Sequence, residues 1–133
     1  MIYTLTNGNY TAQVNSTGAE LFSLKGPDGF EYIWTGDPDY WTGHAPVLFP
    51  MVGWLRGGKA KLDGKWVKMG RHGFARRSEF SLAEEGEGKL SLRLVSNEET
   101  KKCYPYDFAL TVTYTLEENG YKTAFTVENT GDR

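Results

Sequence analysis

Alternation with a period of two runs through much of the chain. Leu90, Leu92 and Leu94 share one face, with Ser91 and Arg93 between them. Phe108, Leu110, Val112, Tyr114 and Leu116 make a longer apolar face interleaved with Ala109, Thr111, Thr113 and Thr115, and Tyr121, Phe125 and Val127 continue it after a turn. Successive side chains of an extended strand point to opposite faces, so this pattern predicts antiparallel strands with one face buried. Strands are expected near 3–6, 10–15, 19–25, 31–34, 59–62, 65–69, 79–84, 89–95, 108–117 and 121–129. Asn7-Gly8, Asp63-Gly64 and Asn119-Gly120 sit between candidate strands, with Asp28-Gly29 as a further candidate. Such pairs favour the left-handed conformation of type I′ hairpins. One helical turn is expected over 97–102, with Asn97 as its cap. Many short strands joined by hairpins argue for an all-β sandwich or barrel, built as one domain over residues 1–133. Residues 35–58 break the alternation and are rich in Gly, Pro and Trp. A loop this long in a compact domain is often functional.

Composition agrees with strands and tight turns, since aromatics reach 14% and glycines number 16. No apolar run is long enough to span a bilayer, so no membrane partner is expected. Met1-Ile2-Tyr3-Thr4 carries no basic and then apolar leader, so no secretory signal is expected. The single cysteine, Cys103, has no partner for an internal disulfide and fits a reducing, cytoplasmic setting. Charge is unevenly spread. Between Arg56 and Arg77 there are eight basic residues and one acid, Asp63, although the whole chain carries a net charge of −2. That asymmetry points either to an anionic partner or to a solvated basic strand pair.

Few residues announce chemistry. His44 and His72 are the two histidines, and no metal-ligand spacing or cofactor motif accompanies them, so no metal and no cofactor are expected. No serine sits in a nucleophile elbow. The run Gly70-Arg71-His72-Gly73-Phe74-Ala75-Arg76 stands out, because glycine beside a histidine lets a ligand approach closely and Arg76 adds a fixed donor fork.

Two longer runs carry a resemblance. Tyr40-Trp41-Thr42-Gly43-His44-Ala45-Pro46-Val47-Leu48-Phe49-Pro50-Met51-Val52-Gly53, followed by His72-Gly73-Phe74-Ala75-Arg76, resembles the aldose 1-epimerase family, within it the bacterial branch similar to the lactose-operon X protein. Gly18-Ala19-Glu20-Leu21, Leu62-Asp63-Gly64-Lys65 and Tyr104-Pro105-Tyr106-Asp107-Phe108 support it, in order along nearly the whole chain. The resemblance implies the N-terminal portion of a large antiparallel β-sandwich of the galactose mutarotase type. It implies an isomerase reaction that interconverts the α and β anomers of hexoses by paired general acid–base chemistry. His72 matches the family histidine that holds the sugar near its ring oxygen. Arg76 and Arg56 are the further candidates for binding sugar hydroxyls. The family's second histidine and its glutamate base have no counterpart here, so the chain is expected to bind a hexose without turning it over. Where the family often has a sugar-binding arginine after the glycine matching Gly53, Trp54 stands instead. Arg71 and Arg77 flank the histidine motif where polar or acidic residues are usual, so this surface reads as altered, by evolution or by a designer.

An alternative reading stays open: a binding module whose basic patch docks a protein, with Trp54, Trp66, Arg71 and Arg77 as anchors, since Trp and Arg are enriched at interface hot spots. Trp34 and Trp41 are expected to pack into the sandwich. Nucleic acid is disfavoured, because no recognition motif accompanies the basic stretch. Open strand edges would favour self-association into a homo-oligomer.

Overall fold

The computed structural model describes every residue, Met1–Arg133. Strands β1 (Ile2–Thr6), β2 (Thr11–Asn15) and β3 (Glu20–Lys25) form a three-stranded antiparallel sheet in sequence order. Strands β4 (Lys59–Leu62) and β5 (Lys65–Lys68) make a separate ribbon. Strands β6 (Ser81–Gly86), β7 (Lys89–Val95), β8 (Phe108–Glu117) and β9 (Gly120–Asn129) make a four-stranded antiparallel sheet, again in sequence order. The all-β sandwich read from the sequence is what forms.

The alternating faces become the core. Leu90, Leu92 and Leu94 of β7 and Phe108, Leu110, Val112, Tyr114 and Leu116 of β8 pack against Leu5, Ala12, Val14, Leu21 and Leu24 of the first sheet. Each fully buried Leu or Val contributes about 1.5–3 kcal/mol relative to exposure, so this double layer is the main source of stability. A direct tie crosses it: the buried Tyr114 hydroxyl donates to the Ala19 carbonyl at 2.7 Å.

Several local expectations need correction. Residues 31–34 do not form a strand. Glu31 makes one isolated bridge to Lys25, and its carboxylate turns back to accept from the Leu24 and Ile33 N–H groups (2.7 and 3.0 Å) and the Ser23 hydroxyl (2.5 Å). A side chain that saturates the local donors leaves no ladder to extend. Among the turns, Asp63-Gly64 has positive φ at both residues (48° and 79°), as type I′ requires. Asn119-Gly120 does not: Gly120 pairs with Glu117, so the turn is Glu118-Asn119, neither with positive φ. Asn7 stays at negative φ and accepts from the Asn9 and Tyr10 N–H groups through its side chain, an Asx turn. The expected helical turn is α1 (Glu98–Cys103), capped by Asn97, whose side chain accepts from the Glu99 and Thr100 N–H groups.

Trp34 and Trp41 do not enter the core. Both are exposed, and they fold the loop on itself: the Trp34 indole N–H donates to the Trp41 carbonyl at 2.8 Å, and the Trp34 ring meets Tyr40 edge-on. Indole needs a partner for its N–H, and here the partner lies in the loop rather than in the core. No helix is long and apolar enough to cross a membrane.

Candidate functional site

The two sequence runs that stand out lie side by side. Phe49 and Gly73 form a parallel bridge, and the Phe49 carbonyl accepts from both Phe74 N–H (2.9 Å) and Ala75 N–H (3.2 Å). Four residues on, Gly53 and His72 are joined twice. His72 N–H donates to the Gly53 carbonyl at 2.8 Å, and Gly53 N–H donates to His72 Nδ1 at 2.8 Å. Gly73 has to be glycine: its φ is +73°, and an added Cβ would sit 2.1 Å from the Phe49 carbonyl oxygen. His72 itself is held at φ 63°, a left-handed conformation uncommon for a side-chain-bearing residue.

That geometry settles the imidazole. A backbone N–H faces Nδ1, so Nδ1 must accept, and the neutral ring carries its proton on Nε2. Nε2 makes no hydrogen bond to the chain, so its N–H is an oriented donor without a partner in the protein. His44 differs. Its Nδ1 lies 2.7 Å from the Trp34 carbonyl, which can only accept, so there Nδ1 carries the proton. Its ring packs edge-on against Phe22, and the two histidines share no hydrogen bond.

The remaining motif pieces hold this loop in place. Glu20 accepts from the N–H groups of His44 (2.9 Å) and Ala45 (3.0 Å), anchoring the long segment to β3. Gly18 packs so closely on Arg76 that a Cβ would lie 2.7 Å from the Arg76 carbonyl oxygen, and its N–H donates to Ser78. Phe49, Phe74, Tyr104 and Phe108 form one aromatic cluster with centroids 5.1–6.5 Å apart. Tyr106 donates its hydroxyl to Asp63 at 3.0 Å, tying the helix-to-β8 connection to the ribbon. Bonding to Asp63 pushes the Tyr106 phenol up from its ordinary pKa.

The candidate arginines are less free than their chemistry suggests. Arg76 bends back, and its guanidinium donates to the Arg71 carbonyl at 3.2 Å, clipping the loop that carries His72. Its Nε is buried without a partner. Arg56 lies in a short 3-10 turn, exposed, with no hydrogen bond or ion pair to the His72 loop. Arg71 and Arg77 are exposed too. Trp54 and Trp66 stand 64% and 65% exposed, so neither packs into the core. The ribbon register places Lys59, Lys61, Trp66 and Lys68 on one face, with the Lys59 ammonium 4.9 Å from the Trp66 ring. No three His, Cys, Asp or Glu side chains gather closely enough to hold a metal ion.

Sequence reasoning singled out His72 but missed what orients it, the two hydrogen bonds to Gly53 nineteen residues earlier. It also missed the clamp from Glu20. The one available signal was that each glycine or acid lies inside a run already conspicuous for other reasons.

Comparison with known proteins shows which family and fold the chain shares. The family model described as aldose 1-epimerase matches residues 1–133. The chromosomal LacX protein of Lactococcus lactis subsp. lactis is 40% identical over 134 residues, covering 97% of this chain and 45% of that protein. The structure of a galactose mutarotase related enzyme from Lactobacillus acidophilus superposes with a TM-score of 0.96 at 37% identity, covering 99% of this chain and 44% of that one. A galactose mutarotase-like protein from Lactobacillus casei gives 0.96 at 35% identity, covering 100% and 46%. The chain thus spans a little under half the length of these relatives.

Proposed function

The chain belongs to the aldose 1-epimerase family, and we propose that it carries the sugar-holding side of a mutarotase-type site centred on His72. One observation carries the reading: Gly53 N–H occupies Nδ1 and so leaves Nε2–H as a fixed, unpartnered donor. A hexose ring oxygen is an acceptor of the matching kind. Donation to it would polarise the bond to the anomeric carbon, the bond that must open for the anomers to exchange. Arg76 serves as a positioning residue, since its guanidinium clips the His72 loop through the Arg71 carbonyl. Arg56, exposed and unpaired beyond Gly53, is the candidate for reaching sugar hydroxyls.

Anomer exchange needs a base on the anomeric hydroxyl as well as an acid on the ring oxygen. Nothing paired with His72 supplies that base, and His44 is committed to the Trp34 carbonyl. The 133-residue chain therefore binds a hexose without accelerating mutarotation. The test is polarimetry of freshly dissolved α-glucose and α-galactose, with sugar-induced shifts of the His72 ring resonances read by NMR. Sugar-induced shifts of the His72 ring and of the neighbouring Gly53 and Gly73 amides are expected, with the amide shifts lost in His72→Ala and the mutarotation rate unchanged. Acceleration lost in His72→Ala would overturn the binding-only reading, and absence of sugar-induced shifts would overturn the site.

Cys103 is the chain's one cysteine and has no partner for an internal disulfide, which suits a reducing, cytoplasmic setting. A second reading, a protein-docking face, rests on the exposure of Trp66 among Lys59, Lys61 and Lys68. Trp66→Ala, which leaves the His72 loop intact, would abolish such docking and spare sugar binding.

A further inference from the structure

The dipeptide Asn-Gly occurs twice, at Asn7-Gly8 between β1 and β2 and at Asn119-Gly120 between β8 and β9. In this dipeptide the glycine nitrogen reaches the asparagine side-chain carbonyl with little hindrance, because glycine has no side chain in the way. The fold holds the two copies very differently.

The Asn7 side chain is fixed by three hydrogen bonds. Its Oδ1 accepts from Asn9 N–H at 3.1 Å and from Tyr10 N–H at 2.9 Å, and its Nδ2 donates to the Glu117 carbonyl at 3.1 Å. The neighbouring nitrogen is engaged as well, since Gly8 N–H donates to Thr6 Oγ1 at 3.2 Å. The Asn7 amide cannot turn toward Gly8 without breaking these bonds. Asn119 has no such restraint. Glu117 pairs with Gly120, which leaves Glu118 and Asn119 as the turn. Asn119 is exposed, and its side chain makes no hydrogen bond to the chain. One sequence signal thus stands in two structural states, one locked and one free.

We propose that Asn119 is a site of spontaneous deamidation and that Asn7 is protected from it. The Gly120 backbone nitrogen attacks Asn119 Cγ and forms an N–Cγ bond. The Cγ–Nδ2 bond breaks, and ammonia leaves with the proton that the Gly120 nitrogen gives up. Water then opens the cyclic imide at either carbonyl, which yields aspartate or isoaspartate. Water is the only co-reactant, and hydroxide removes the amide proton, so the rate rises with pH. The place of the turn gives the change a structural effect. The Glu117 carbonyl is the acceptor that ties the β8–β9 turn to Asn7 in the β1–β2 turn of the other sheet. Isoaspartate lengthens the main chain of the turn by a methylene and adds a carboxylate beside Glu117 and Glu118. Both changes loosen that tie.

The test is incubation of the folded 133-residue chain at mildly alkaline pH, followed by tryptic digestion and labelling of isoaspartate with an isoaspartyl methyltransferase. Asn119 is the only asparagine of peptide 103–122, whereas Asn7 lies in peptide 1–25. Label in 103–122 should accumulate about tenfold or more faster than in 1–25, because freeing Asn7 requires several hydrogen bonds to break first. In concentrated urea the two rates should converge, and Asn119→Gln should remove the label from 103–122. The aged chain should unfold at lower urea than Asn119→Gln aged alike. Equal labelling of the two peptides in the folded chain, or none in 103–122, would overturn the proposal. An Asn7 that stays unlabelled in urea would show that the fold is not what protects it. An unchanged urea midpoint after ageing would overturn the loosening of the tie.

Discussion

Gly73 shows how one residue can decide a site. Its missing side chain lets the Phe49 carbonyl come close enough to accept two N–H groups, and its positive φ sets the turn that presents His72. Gly73→Ala would add the left-handed penalty of about 1–2 kcal/mol and force the two segments apart. Urea denaturation should show a loss of about 2 kcal/mol or more, accompanied by loss of the sugar-induced His72 shifts. A loss of stability with those shifts intact would mean that the Phe49 contact does not orient the imidazole. The histidine motif was visible in the sequence, because a His-Gly pair is conspicuous anywhere. The Gly53 N–H that fixes its tautomer was not, since a backbone donor has no sequence signature.

At the scale of elements, the period-two pattern located the strands but not the worth of their faces. Leu82 of β6 and Leu92 of β7 are directly opposite in the register, yet Leu92 is fully buried and Leu82 is 45% exposed. Strand β6 is an edge, exposed along its whole length, whereas β7 is roofed by the first sheet. Leu92→Ala should cost about 2–5 kcal/mol and Leu82→Ala under about 1 kcal/mol, read from denaturant midpoints at constant m-value. Equal costs would mean that the sheet is covered on the β6 side as well. The failed strand at 31–34 has the same moral: Glu31 satisfies the backbone donors that a ladder would have used.

Across the whole molecule, carboxylates clamp segments distant in sequence, and this gives stability a pH dependence. Glu79, at the start of the second sheet, accepts from the Ser16 and Thr17 hydroxyls beyond β2, and these bonds hold it below its ordinary pKa of 4.5. For Glu31, burial alone would raise the pKa, but the Ser23 hydroxyl and the Leu24 and Ile33 N–H groups outweigh it, and the net shift is downward. A carboxyl whose folded pKa is depressed contributes stability that is present above the unfolded pKa and lost as pH falls through the folded one. The melting temperature should therefore hold level above about pH 5 and drop toward pH 3. The double variant Glu31→Gln/Glu79→Gln should start lower and fall less steeply. An acid flank unchanged in that variant would assign the drop to other carboxylates.

The sequence by itself determined the all-β class, the strands of both sheets, the capped helical turn and the histidine motif. Each of these rests on spacing of two or three residues, on local turn chemistry, or on a run conspicuous as it stands. Only the tertiary structure decided which faces are covered, which arginines are already engaged, and that four tryptophans stay outside the core. These depend on contacts between residues tens of positions apart, such as Gly53 with His72 and Tyr114 with Ala19, where the chain's path rather than its local pattern sets the distance.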